Sequence, residues 1–91
     1  MEQIKFSGLQ HLKKSDLFVV KKMVGSFLKS IEKRVGNFEQ FDIHHKFIHN
    51  KIHEVNAHLH TSSNVYTAKV EEHNLFVAID KVTKKIEEQL S

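Results

Sequence analysis

The sequence predicts an α+β fold of order β-α-β-β-β-α, a four-stranded sheet with two helices packed on one face. Three observations lead there. Apolar residues recur at three- and four-residue spacing in one stretch near each end of the chain, and between those stretches they alternate with polar residues. No proline and only three glycines interrupt the patterns, so nothing marks a linker. A chain of 91 residues has room for one hydrophobic core, and residues 1–91 are expected to form a single domain.

Each element has its own signal. Ile4 and Phe6 alternate with Gln3 and Lys5 before Ser7-Gly8, predicting a short strand and a turn. From Ser15 the period changes: Leu17, Val20, Val24, Phe27, Leu28, Ile31 and Val35 fall on one helical face. Ser15 or Asp16 is the expected N-cap, and Gly36-Asn37 the expected stop. Residues 38–48 and 54–60 read as strands, with Phe41, Ile43 and His45 on one face of the first and Val55, Ala57 and Leu59 on one face of the second. His49-Asn50-Lys51 reads as their hairpin connection, and Ser62-Ser63-Asn64 leads to a strand over 65–71 in which Tyr66, Ala68 and Val70 share a face. Asn74 can cap a last helix with the stripe Leu75, Ile79, Val82, Ile86 and Leu90. Neither helix can bury its stripe alone, so one sheet face must cover both, and the other face should be wet.

Composition narrows the function. Apolar residues make up 40% and charged residues 27%, as in a soluble globular domain. No run approaches a membrane span, and Met1 to Gly8 lacks the basic start and apolar core of a secretion signal, so no membrane partner and a cytoplasmic location are expected. Without cysteine there is no disulfide, thiolate metal site or cysteine nucleophile. The net charge of +3 is unevenly spread: residues 1–35 carry eight basic and three acidic side chains (+5), residues 36–91 six and eight (−2).

Lys22, Lys29 and Lys33 lie close to one line along the first helix, and Lys81, Lys84 and Lys85 cluster on the last. Such rows can track a phosphate backbone, and they can equally just solvate an outer face. Six of the eight histidines fall between His44 and His60, with His58 and His60 on one strand face. Yet there is no helical HExxH pattern and His44 and His45 point to opposite faces, so no metal and no cofactor is expected. Partial protonation of the histidines could instead raise the positive charge in mild acid. His45, on the apolar face of its strand, reads as a core histidine. Phe38, Phe47 and Tyr66 could stack on bases if exposed. The adjacent carboxylates Glu71/Glu72 and Glu87/Glu88 diverge, and no glycine-rich phosphate loop, nucleophile elbow or triad spacing occurs, so neither an enzyme nor a small-molecule substrate is indicated.

The stretch Leu75-Phe76-Val77-Ala78-Ile79-Asp80, followed by Lys85-Ile86-Glu87-Glu88-Gln89-Leu90, resembles the closing helix of the ribosome hibernation promoting factor family, which includes the ribosome-associated inhibitor protein Y. Upstream, Glu54 to His60 resembles the family's third strand, Leu28 to Lys33 the end of its first helix, and Ile4 to Gly8 its opening strand. The resemblance implies a factor that binds the small ribosomal subunit and its rRNA across the decoding region and occludes messenger and transfer RNA. Carried over by position, it implies Lys22, Lys29, Lys33, Lys81, Lys84 and Lys85 as RNA contacts. The chain departs from the family pattern at Asn74, where an acidic cap is usual, and at Glu88, where a basic residue is frequent. Ending at Ser91, it is expected to be the short form, without the dimerisation domain of the long members. Two other readings remain at this level: a generic double-stranded-RNA-binding module, and a histidine-rich protein-interaction or metal-binding domain. An exposed sheet edge could also pair two copies weakly.

Overall fold

The computed structural model describes residues 3–49 and 51–90. Its elements are β1 (Ile4–Ser7), α1 (Lys14–Val35), β2 (Gln40–Ile48), β3 (Ile52–His60), β4 (Val65–Glu72) and α2 (Leu75–Leu90), in the predicted order. The strands form one sheet in the order β1-β2-β3-β4. β1 runs parallel to β2, with Ile4 opposite Phe41 and Phe6 opposite Ile43, while β2, β3 and β4 are antiparallel neighbours.

Alternation decides which face is dry. Phe41, Ile43, Val55, Ala57, Leu59 and Val70 are buried on the helix side of the sheet. Against them α1 sets Val20, Val24, Phe27, Leu28 and Ile31, and α2 sets Leu75, Ala78, Ile79, Val82 and Ile86. Each large apolar side chain so buried stabilises the fold by roughly 1.5–3 kcal/mol before chain entropy is subtracted. The Thr83 hydroxyl, buried in this layer, donates to the carbonyls of Ile79 and Asp80 at 3.0 Å. Among the described residues no buried side-chain polar atom lacks a partner.

The helix ends differ from the expectation in one respect. Neither Ser15 nor Asp16 caps α1, because the helix already starts at Lys14 after an extended Lys13 that makes no side-chain cap bond. Asp16 sits inside the first turn, where its carboxylate faces the positive end of the helix dipole. Gly36 does end α1, at φ 77° and ψ −147°, a region essentially restricted to glycine, and its amide donates to the Glu32 carbonyl. Asn74 caps α2 as expected, its Oδ1 accepting from the amides of Phe76 (2.9 Å) and Val77 (3.1 Å). The first two long strands are also shifted: β2 starts at Gln40 rather than 38, and β3 at Ile52 rather than 54, which puts Ile48 opposite Ile52. In the link between them His49 has φ 56°, whereas Asn50 lies outside the described residues.

The β4 edge is partly covered from above. Gln89 Nε2 donates to the Thr67 carbonyl at 2.7 Å and Lys85 Nζ to the Lys69 carbonyl at 3.4 Å, occupying two acceptors along that strand.

Two glycines make opposite demands. Gly8 has φ 76°, and a Cβ there would run into the His45 carbonyl oxygen; Gly25, inside α1, has nothing within 4 Å of a built Cβ. Gly8→Ala is therefore expected to lower stability by about 2–4 kcal/mol, from the positive φ and the clash together. Gly25→Ala should raise it by up to about 1 kcal/mol through helix propensity. Urea unfolding midpoints of the two variants check both signs.

Candidate functional site

The row of cations on α1 follows from the helix period. With Val20, Val24, Phe27 and Ile31 held against the sheet, Lys22, Lys29 and Lys33 are carried to the opposite side, and all three are exposed. Among the described residues no carboxylate lies within ion-pair distance of any of the three. Their charge is directed to solvent, where a phosphate could neutralise it.

The lysines of α2 are disposed differently. Lys84 pairs with Asp80 one turn back at 3.1 Å. Lys81 is held by Glu72 of β4 at 2.6 Å, and Lys85 reaches the Lys69 carbonyl. Lys81 and Lys85 thus line a cleft of about 420 Å³ between α2 and β4, together with Glu71 and Glu72. The six lysines do not converge on one patch. Three form the free row on α1, Lys84 stands on α2, and two turn to the sheet edge. On the inner side of α2, Glu87 binds α1 through Ser30 Oγ (3.4 Å) and Arg34 Nη1 (3.8 Å), tying the C-terminal halves of the helices together.

On the uncovered face of the sheet, Glu54 of β3 is buried between Lys46 of β2 (3.6 Å) and Lys69 of β4 (3.5 Å), and Asn56 donates to it at 3.2 Å. Burial pushes the Glu54 carboxyl up, but the Asn56 bond and the two ammonium groups outweigh it and hold the pKa below the ordinary carboxylate value. His60 contacts Asp42 at 3.2 Å on the same face.

At the end of the domain where both helices begin, three histidines meet. His45 lies 5.1 Å from His53 and 5.2 Å from His11, ring centre to ring centre, with Phe47 packed against all three. His45 Nδ1 faces the Gly8 carbonyl at 3.3 Å and its Nε2 faces His53 Nδ1 at 2.8 Å. Since a carbonyl can only accept, this network assigns the proton of neutral His45 to Nδ1, and its bare Nε2 then accepts from His53 Nδ1. Protonating both imidazoles would set two N–H groups against each other. Burial pulls the His45 pKa below its usual value; the Gly8 bond opposes this, and His53, His11 and His44 reinforce it. Burial and His11 lower that of His53. His11 and His53 open on a cavity of about 400 Å³ also lined by Lys13, Asp16 and His73. Among the described residues no group of three or more such side chains, these histidines included, is arranged to hold a metal ion.

Of the aromatic candidates, Phe38 is buried, Tyr66 half-buried, and Phe47 is 44% exposed while packing against His11, His45 and His53. The exposed aromatic on a cationic surface is Phe18, which sequence reasoning passed over; its helical position, shared with Lys22 rather than with Leu17, was the available signal. Glu54 could not be singled out in advance, because only the strand register shows that lysines flank it.

Such a build, a sheet covered on one face by two helices with cations on the outer side of the first, defines a small two-layer α+β domain. The family model described as "Sigma 54 modulation protein / S30EA ribosomal protein" matches residues 20–91, and the chain belongs to that family. Among solved structures, the N-terminal domain of Thermus thermophilus Protein Y is similar with a TM-score of 0.71 at 13% identity, over 98% of this chain and 93% of that one. A ribosomal subunit interface protein from Coxiella burnetii is similar with a TM-score of 0.74 at 14% identity, over 99% and 93% respectively. At these identities the likeness is one of fold. No curated protein matches the sequence. No described helix is long and apolar enough to cross a membrane.

The histidine network has a consequence for stability. His45 and His53 titrate lower in the folded than in the unfolded chain, so below about pH 6.5 the unfolded chain binds more protons and is favoured. Stability from this pair is fully present above that pH and is lost as the pH falls towards the folded values. Urea midpoints are expected to drop between pH 7.5 and pH 5, with a shallower dependence in the His45→Gln/His53→Gln variant.

Proposed function

We propose that the chain is a ribosome-binding hibernation factor that inhibits translation by docking the basic faces of its helices on small-subunit rRNA in the decoding region. Occupancy is the mechanism and no reaction is catalysed. The 91 residues act as one ribosome-binding domain, in the cytoplasm and under conditions of stress, when idle ribosomes are held in reserve. The observation that carries this reading is the line of three acid-free lysines, Lys22, Lys29 and Lys33, on α1 of a domain belonging to this family.

The two helices contribute unequally. Lys22, Lys29 and Lys33 meet phosphates without breaking any ion pair. Lys81 and Lys84 must first exchange Glu72 and Asp80 for phosphate, and Lys85 must leave the Lys69 carbonyl. Exposed pairs of this kind are worth at most about 1 kcal/mol each, so the exchange is open to a surface as strongly charged as folded RNA. If two copies pair through a sheet edge, the β1 edge is favoured, since Gln89 and Lys85 occupy acceptors on β4.

Each phosphate neutralised releases condensed counterions, so log affinity falls with log salt by about 0.7–0.9 per contact. Titrating isolated small subunits should give a slope of about −2 to −3 if α1 alone is engaged and about −4 to −5 if all six lysines are. Lys22→Gln/Lys29→Gln/Lys33→Gln is expected to abolish cosedimentation with small subunits while keeping its thermal midpoint. Glu72→Gln/Asp80→Asn is expected to tighten binding. Full retention of the triple lysine variant on subunits contradicts the proposal, and equal affinity for naked duplex RNA points to the generic double-stranded-RNA module instead.

A further inference from the structure

We infer that Phe18 is a base-stacking residue and that the partner of α1 is RNA carrying an unpaired, accessible base; this rests on the RNA-binding reading of α1 and specifies it. Phe18 is 62% exposed, an unusual state for a phenylalanine in a helix whose other face supplies much of the core. It does not lie among the isolated apolar residues that any surface carries. It falls in the cationic row, one turn before Lys22, whose ammonium sits 5.4 Å from the ring centre.

Lys14, Phe18, Lys22, Lys29 and Lys33 follow one another at intervals of four or seven residues along the outer side of α1. Phe18 to Lys33 spans about 22 Å at the helical rise. Within that span, between Lys22 and Lys29, stands Gly25. A glycine in a helix interior costs about 1 kcal/mol relative to alanine, and here no steric need accounts for it, because a Cβ would meet nothing within 4 Å. What its missing side chain leaves is a notch in the row, beside a cavity of about 210 Å³ that Lys29 and Glu32 also line. The gap between Lys22 and Lys29 lets a phosphate backbone come close to the helix, with the Glu32 carboxylate at its margin.

The occupant is set by chemistry. A row of lysines without carboxylate partners favours an anion extended along it, which points to a polyanion. An aromatic ring at the end of the row requires a flat apolar face, which RNA offers only where a base has left the stack. A continuous duplex supplies the phosphates but hides its base faces. The arrangement therefore fits a looped or single-stranded RNA segment whose base stacks on Phe18 while the following phosphates pass Lys22, the Gly25 notch, Lys29 and Lys33.

The test uses small ribosomal subunits, a short single-stranded RNA and the matching duplex as probes. Because Phe18 is exposed, Phe18→Ala should fold with an unchanged thermal midpoint. It should weaken binding to subunits by about 5- to 150-fold, the range for losing one base stack, and leave the salt slope unaltered. The chain has no tryptophan, so Phe18→Trp introduces a single indole; it should keep the affinity and lose fluorescence on subunits and single-stranded RNA but not on the duplex. Gly25→Leu should weaken binding without loss of stability. If Phe18→Ala binds like the parent while the triple lysine variant does not, the stacking role is overturned and the RNA-binding reading stands. If neither variant loses affinity, both fall. Equal quenching by duplex and single strand overturns the requirement for an unpaired base.

Discussion

The organisation of this domain depends on a sheet that is dry on one side only. Once Phe41, Ile43, Val55, Ala57 and Leu59 are committed to the helix side, α1 and α2 must lie side by side above them, and every charged residue of the helices is forced to their outer surfaces or into the seam between them. The acid–base contacts then sort themselves. Glu87 in the seam binds Ser30 and Arg34 of α1, Glu72 at the rim takes Lys81, and Lys22, Lys29 and Lys33 on the outer side of α1 are left without an ion-pair partner. The free basic row is a by-product of the core as much as of its own residues, since a small rotation of α1 would bring Lys22, Lys29 and Lys33 towards other surfaces.

The two ends of the molecule are built differently. Where the helices begin, the Gly8 carbonyl, His45 and His53 form a chain of hydrogen bonds that joins the β1–α1 connection to β2 and β3, backed by Phe47 and His11. The parallel β1–β2 pair needs that connection to turn back sharply, which is why the backbone of Gly8 presses on that of His45. Burial holds the His45 pKa below its usual value, and burial and His11 do the same for His53, so these two imidazoles are weaker sources of positive charge in mild acid than free histidines.

Apolar spacing made the six elements, their order and most of the core legible in the sequence, because period 2 and period 3.6 leave different marks even over a few turns. The limits are equally physical. The start of β3 was placed late because Ile52 and His53 follow a turn whose conformation, with positive φ at His49, is not encoded by a glycine. The α1 cap was misplaced because Ser15 and Asp16 look like caps while the chain enters the helix through Lys13. Helical period sets Lys22, Lys29 and Lys33 on one side of α1, but the pairing of Lys81 with Glu72 depends on how α2 sits against β4, which no local pattern specifies. Phe18 was legible and overlooked, being one residue off the apolar stripe.

The cover that Gln89 and Lys85 place over β4 has a bearing on how this domain changes over evolutionary time. A sheet occupied along its β4 rim does not easily recruit partners there by adding a strand, a mode of recognition carried by the backbone and hard to retune. What remains on that side are side chains standing on the helices, which can be exchanged one at a time without disturbing the layer beneath. Surface replacements can therefore accumulate, and sequence identity can fall very low, while the architecture persists.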